Sequence, residues 1–138
     1  MTKPDPVIHF EMPAQDRQRM ANFYNAAFAW QSQMLGEEMG NYVVVITTDT
    51  VDELATVPGT INGGFFPVTP DMPAMYPSVV ISVDDIAASI AKVKRAGGAV
   101  TDEPMDIPGI GRFVAFIDTE GNRVSMLQPP PPAAKAKP

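Results

Sequence analysis

The chain of 138 residues carries a net charge of −6 at pH 7 and contains no cysteine. That length fits one domain able to bury about two-thirds of its unfolded surface without a disulfide or structural metal. The missing thiols exclude cysteine nucleophiles, thiolate metal sites and disulfide frameworks, and the acidic balance argues against nucleic acid or an anionic membrane as partner. No apolar run approaches the roughly 20 residues of a membrane span. The opening MTKPDPVIHF lacks the apolar core of a signal peptide, so a cytoplasmic protein is expected.

Val7 to Met12 alternates, with Val7, His9 and Glu11 on one strand face and Ile8, Phe10 and Met12 on the other. Pro13 is expected to end this strand and Asp16 to cap a helix, with Met20, Phe23, Tyr24, Ala27 and Phe28 as its buried stripe. Strands are predicted over Trp30 to Leu35, Tyr42 to Thr47 and Ile61 to Pro67, with a turn from Gly36 to Gly40. Val68 to Pro77, containing Pro70, Pro73 and Pro77, reads as a stiff connector. A second strand–helix pair follows: Ser78, Val80 and Ser82 alternate with Val79, Ile81 and Val83. Asp84 or Asp85 caps a helix with Ile86, Ile90 and Val93 inward, and Gly97-Gly98 stops it. A strand near Ala99 to Glu103, a loop over Pro104 to Gly111, and a hairpin of Arg112 to Ile117 with Arg123 to Gln128 complete the pattern. The tail PPPPAAKAKP has too little apolar surface to bury and is expected to be disordered.

Both halves therefore read βαβββ. Placing His9 on Ser78, an offset of 69 positions, carries Asp16 onto Asp85. A duplication of this size predicts two similar modules, about 6–67 and 76–128, in one domain of residues 1–130 followed by the tail 131–138. The expected ligand site is the cup between the modules.

The run H-F-E-x-P-A-x-D leading to F-Y, then S-V-D-D-I, I-P-G-I-G-R-F and D-x-E-G-N, resembles the vicinal oxygen chelate superfamily. That superfamily includes glyoxalase I, the extradiol dioxygenases and the bleomycin-resistance proteins, and the likeness runs from about Pro6 to Gln128. It implies an α+β fold in which tandem βαβββ modules form a curved eight-stranded mixed sheet, with helices outside and a concave cup. Homodimers are common in the family, so a homodimer is the expectation. The chain departs from the family's pattern at Phe28-Ala29-Trp30, where relatives tend to place glycine before the tryptophan. Alanine in a left-handed conformation costs about 1 kcal/mol, so the helix end is expected to differ in detail.

Metal-dependent relatives take one ligand from the first and last strand of each module. Here only His9 matches; the corresponding positions offer Ser78 and Ser125, and the strand Ile61-Asn62-Gly63-Gly64-Phe65 has no carboxylate or imidazole. A catalytic site normally needs about three good protein ligands, so no cofactor is predicted, and a divalent metal remains an open alternative. His9 and Glu11 are the candidate acid–base residues, Glu11 either orienting His9 or keeping it protonated. His9, Glu11, Trp30, Tyr42, Asn62, Ser78, Ser82, Arg112 and Ser125 are the candidate contacts to an unidentified small organic molecule. Two functions follow: a metal-free binding protein of the glyoxalase and bleomycin-resistance kind, or a lyase, isomerase or dioxygenase-type enzyme using His9.

Overall fold

Asp16 and Asp85 open the two helices in the same way. Each has extended backbone, and its carboxylate accepts a hydrogen bond from the amide three residues on, Arg19 at 3.0 Å and Ala88 at 3.1 Å. The repeat predicted this equivalence, and it phases both modules. A computed structural model describes residues 3–71 and 76–131. Within them the chain divides into two compact units, Ile8–Ser78 and the residues from Val79 onward joined by the N-terminal residues through Val7.

The first unit contains β1 (Val7–Ala14), α1 (Arg17–Phe28), β2 (Gln31–Met34), a 3₁₀ turn (Glu37–Met39) and β3 (Val43–Ile46). A small hairpin of β4 (Thr50–Val51) and β5 (Leu54–Ala55) follows, then β6 (Asn62–Pro67). Its strand order is β2-β3-β6-β1, with β1 and β6 parallel and the other pairs antiparallel. The second unit contains β7 (Ser78–Ser82), α2 (Ile86–Arg95), β8 (Met105–Ile107), β9 (Gly111–Ile117) and β10 (Arg123–Gln128). Its order, β7-β10-β9-β8, again has one parallel pair, β7 with β10. The fold is thus α+β, built from two βαβββ modules of four sheet strands each.

Each helix covers one strand face. In the first unit Phe65, Val43, Val45, Ala14 and Ala21 form the core, with Met20, Tyr24, Phe10 and Trp30 packed on it. In the second, Ile86, Val83, Val114 and Met126 do so with Ile81, Ile90 and Val93. Removing a side chain such as Phe65 or Ile86 from water contributes about 1.5–3 kcal/mol each.

The stripe expected on α1 is narrower than the sequence indicated: Phe23 and Phe28 are 58% and 62% exposed, and Met20, Ala21 and Tyr24 carry the inward face. Spacing alone does not fix the phase of a 12-residue helix; the position of β1 beneath it does. Nor does Pro13 end β1, which continues to Ala14 with Pro13 opposite Phe66 and Ala14 opposite Pro67. The strand expected over Ala99 to Glu103 is reduced to one bridge from Ala99 to Ile117, and the edge strand lies instead at β8. At the end of α1, Ala29 does adopt the left-handed conformation (φ 61°, ψ 24°), its amide donating to the Asn25 carbonyl at 2.9 Å and the next amide, of Trp30, to the Tyr24 carbonyl at 3.3 Å. The middle of the connector, with Pro73, and the tail from residue 132 lie outside the described residues.

Candidate functional site

Parity along β1 sends Phe10, Met12 and Ala14 to the helix side and His9 and Glu11 to the other. The register with β6 sets Asn62 beside His9 and Gly64 beside Glu11, and that with β3 sets Val44 beside Gly64. Gly63 and Gly64 are both required by close approach, on opposite faces. A Cβ on Gly63 would strike the Phe10 ring in the core, and one on Gly64 would strike the ring and hydroxyl of Tyr42. Tyr42 precedes β3, and the space over Gly64 lets its phenol reach between the two polar residues of β1.

The result is a chain of three side chains. Tyr42 Oη donates to Glu11 Oε2 at 3.0 Å and lies 3.0 Å from His9 Nε2. Glu11 is 7% exposed, a buried carboxylate of the kind that is normally satisfied by hydrogen bonds. Burial pushes the His9 imidazole down from 6.5 to about 4. It also raises the Tyr42 phenol, which the charge of Glu11 and its hydrogen bond to that carboxylate raise further. Glu11 is thus linked to His9 through the Tyr42 hydroxyl rather than by direct contact, and desolvation is what lowers the imidazole.

The other expected contacts are dispersed. Asn62 lies beside His9, yet its amide is committed to the neighbouring loop, accepting from the Thr47 amide and donating to Thr50 Oγ1, both at 2.9 Å. Trp30 sits on the helix side, its ring stacked on Tyr24 at 4.7 Å and tilted against Phe10 at 5.5 Å. Arg112 is paired with Asp106 at 2.9 Å on the exposed surface of the second unit. Ser82 donates its amide to the Pro6 carbonyl at 2.9 Å. Ser78 Oγ and Ser125 Oγ are buried without a hydrogen-bond partner among the described residues, and Ser125 is fully enclosed. The sequence marks Tyr42 as a candidate ligand contact but not its hydroxyl as the link between His9 and Glu11. Nor does it mark Val44 and Ile46, which strand parity places as an apolar floor on the same face. A crevice of about 380 Å³ in the first unit lies elsewhere, beside the start of α1 between Pro13, Asp16, Arg19 and Phe23.

The donor set does not fit the metal of the enzyme relatives. The Nε2 of His9 is engaged by Tyr42, Ser78 and Ser125 offer neutral hydroxyls, and no three His, Cys, Asp or Glu side chains converge among the described residues. No helix among the described residues is long and apolar enough to cross a membrane.

Comparison with known proteins places this geometry in context. The model of the Glyoxalase/Bleomycin resistance protein/Dioxygenase superfamily matches residues 7–126. A glyoxylase-like domain-containing protein of Didymella fabae is 30% identical over 115 residues, 81% of this chain and 84% of that protein. Anthracycline biosynthesis protein DnrV of Streptomyces peucetius is 28% identical over 118 residues, 81% of this chain and 42% of that protein. The chain spans less than half the length of the curated relatives it first matches. Among solved structures, the Mycobacterium tuberculosis methylmalonyl-CoA epimerase aligns with a TM-score of 0.63 at 12% identity, over 91% of this chain and 88% of that one. The Streptomyces coelicolor methylmalonyl-CoA epimerase in complex with 2-nitronate-propionyl-CoA gives 0.65 at 18%, over 91% and 97%. At such identities the likeness is one of fold.

Proposed function

Because the chain belongs to the Glyoxalase/Bleomycin resistance protein/Dioxygenase superfamily, we propose that it is a small-molecule-binding protein that holds an organic ligand against His9 and Tyr42 without the metal quartet of its enzyme relatives. The observation that carries this is the commitment of His9 Nε2 to Tyr42, itself tied to Glu11. The nitrogen is held by a side-chain network, and the hydroxyls of Ser78 and Ser125 are poor donors to a divalent cation.

The enzyme alternative, with His9 as acid–base group, draws on the same chain of hydrogen bonds. Its weakness is basicity: a general base works best when its pKa lies near the operating pH, and burial sets that of His9 at about 4. Binding is therefore favoured over proton abstraction. The relatives' names span anthracycline biosynthesis and an epimerase crystallised with a CoA ester, so the ligand's identity does not transfer from them. A homodimer belongs to the same proposal, resting on the family resemblance.

The test is a thermal-shift screen of small organic compounds, with metal analysis of the purified protein. The expected result is stabilisation by at least one organic compound, lost in His9→Ala, in protein without stoichiometric transition metal. Near-stoichiometric metal that disappears in His9→Ala would overturn the proposal.

A further inference from the structure

Tyr42 has one proton to give. That proton goes to Glu11 Oε2, so toward His9, 3.0 Å away, the phenol oxygen can only accept. The proton of the second hydrogen bond must therefore sit on His9 Nε2. A neutral imidazole carries one N–H, and with it on Nε2 the other nitrogen, Nδ1, is a bare lone pair. Nδ1 makes no hydrogen bond to the described residues, and it lies on a face whose neighbouring rows bring Val44 and Ile46, both half-buried.

We infer that Tyr42 locks His9 in the Nε2–H tautomer, so that the site selects ligands that donate a hydrogen bond to Nδ1, such as phenols, alcohols, amides and ammonium groups, and rejects acceptor-only anions. This rests on the small-molecule-binding proposal above and narrows its ligand class. Against a carboxylate, phosphate or sulfonate, Nδ1 would set lone pair against lone pair. Protonating the ring would relieve that clash, but desolvation opposes the charge. The apolar floor asks for a hydrocarbon body behind the donor. Tyr42 is thus a positioning residue: it acts on the ligand through the proton it fixes on His9.

The chain contains a single histidine, so imidazole ¹⁵N resonances report His9 without assignment. At pH 7 the wild-type protein is expected to show the Nε2–H tautomer alone, and Tyr42→Phe a mixture of tautomers. A merely structural role for Tyr42 would leave the tautomer unchanged, and an Nδ1–H ring in the wild type overturns the inference. The same resonances are then followed during titration with 4-methylphenol, 4-methylbenzylamine and 4-methylbenzoate, which share a ring and differ in the polar group. The phenol and the amine are expected to shift Nδ1 and to bind at least about tenfold tighter than the carboxylate. If 4-methylbenzoate binds as well as the phenol, the donor rule fails while small-molecule binding stands. If none of the three binds, the ligand class is refuted even where the wider screen finds a ligand.

Discussion

Acidification should unfold this protein in part through one residue. His9 takes up a proton at about pH 4 in the fold and near 6.5 in the unfolded chain. Above pH 6.5 the ring is neutral in both states and contributes nothing to pH dependence. As pH falls from 6.5 toward 4 the unfolded chain binds the proton first, so stability is lost across that window and levels off below it. Linkage with those two values gives a loss of about 2 kcal/mol at pH 5, approaching about 3 kcal/mol below pH 4, as a ceiling for a ring that keeps some exposure. Other groups titrate here too, so the quantity to measure is a difference. Urea unfolding of the wild type and of His9→Gln at pH 7.5, 6.0 and 5.0 should show the wild type losing about 2 kcal/mol more than the variant over that range. Parallel pH profiles would mean that His9 is as readily protonated in the fold as outside it, and the account of a desolvated imidazole would be wrong.

Ala29→Gly should raise stability. It relieves about 1–2 kcal/mol of left-handed strain against about 0.4–1 kcal/mol of added unfolded-chain entropy, for a gain of roughly 2–3 °C in calorimetric Tm. Ala96→Gly, at a right-handed position, should give no gain in the same experiment. Gly64→Ala forces a Cβ into the Tyr42 ring and should cost about 1–3 kcal/mol in denaturant unfolding, whereas Tyr42→Ala in the same background should recover part of it by emptying the collision. Asp16→Ala and Asp85→Ala should each cost about 1 kcal/mol through loss of the N-cap bond, and the double variant about the sum, because the two caps share no partner.

What the sequence made legible was local. Alternation in Val7 to Met12 and the aspartates before each helix report on neighbouring residues, and the 69-residue repeat multiplied that signal. Boundaries failed where a distant segment decides them. Ala99 to Glu103 has the look of a strand, yet the tight turn between Ile107 and Gly111 folds Met105–Ile107 against β9 and leaves Ala99 with a single bridge. The site was legible as far as the shared face of His9 and Glu11, since period two is a property of one strand. The Tyr42 hydroxyl was not, because its reach between them depends on a β3–β6 pairing about 20 residues apart in sequence and on the space above Gly64. Trp30 was assigned to the ligand's side because an aromatic ring suits either face, and only the register of β2 and the end of α1 send it to the core.

The adjacent glycines of β6 leave the first unit with a partition one backbone thick. The ring of Phe10 rests on one side and that of Tyr42 on the other, and neither position can gain a side chain without displacing one of them. Under the ligand-binding proposal, preference can consequently drift at Val44 and Ile46, or at Gln31 and Gln33 opposite them in the register, while positions 63 and 64 stay fixed. Any lineage or selection experiment that changes them should acquire a compensating smaller residue at position 10 or 42 in the same step.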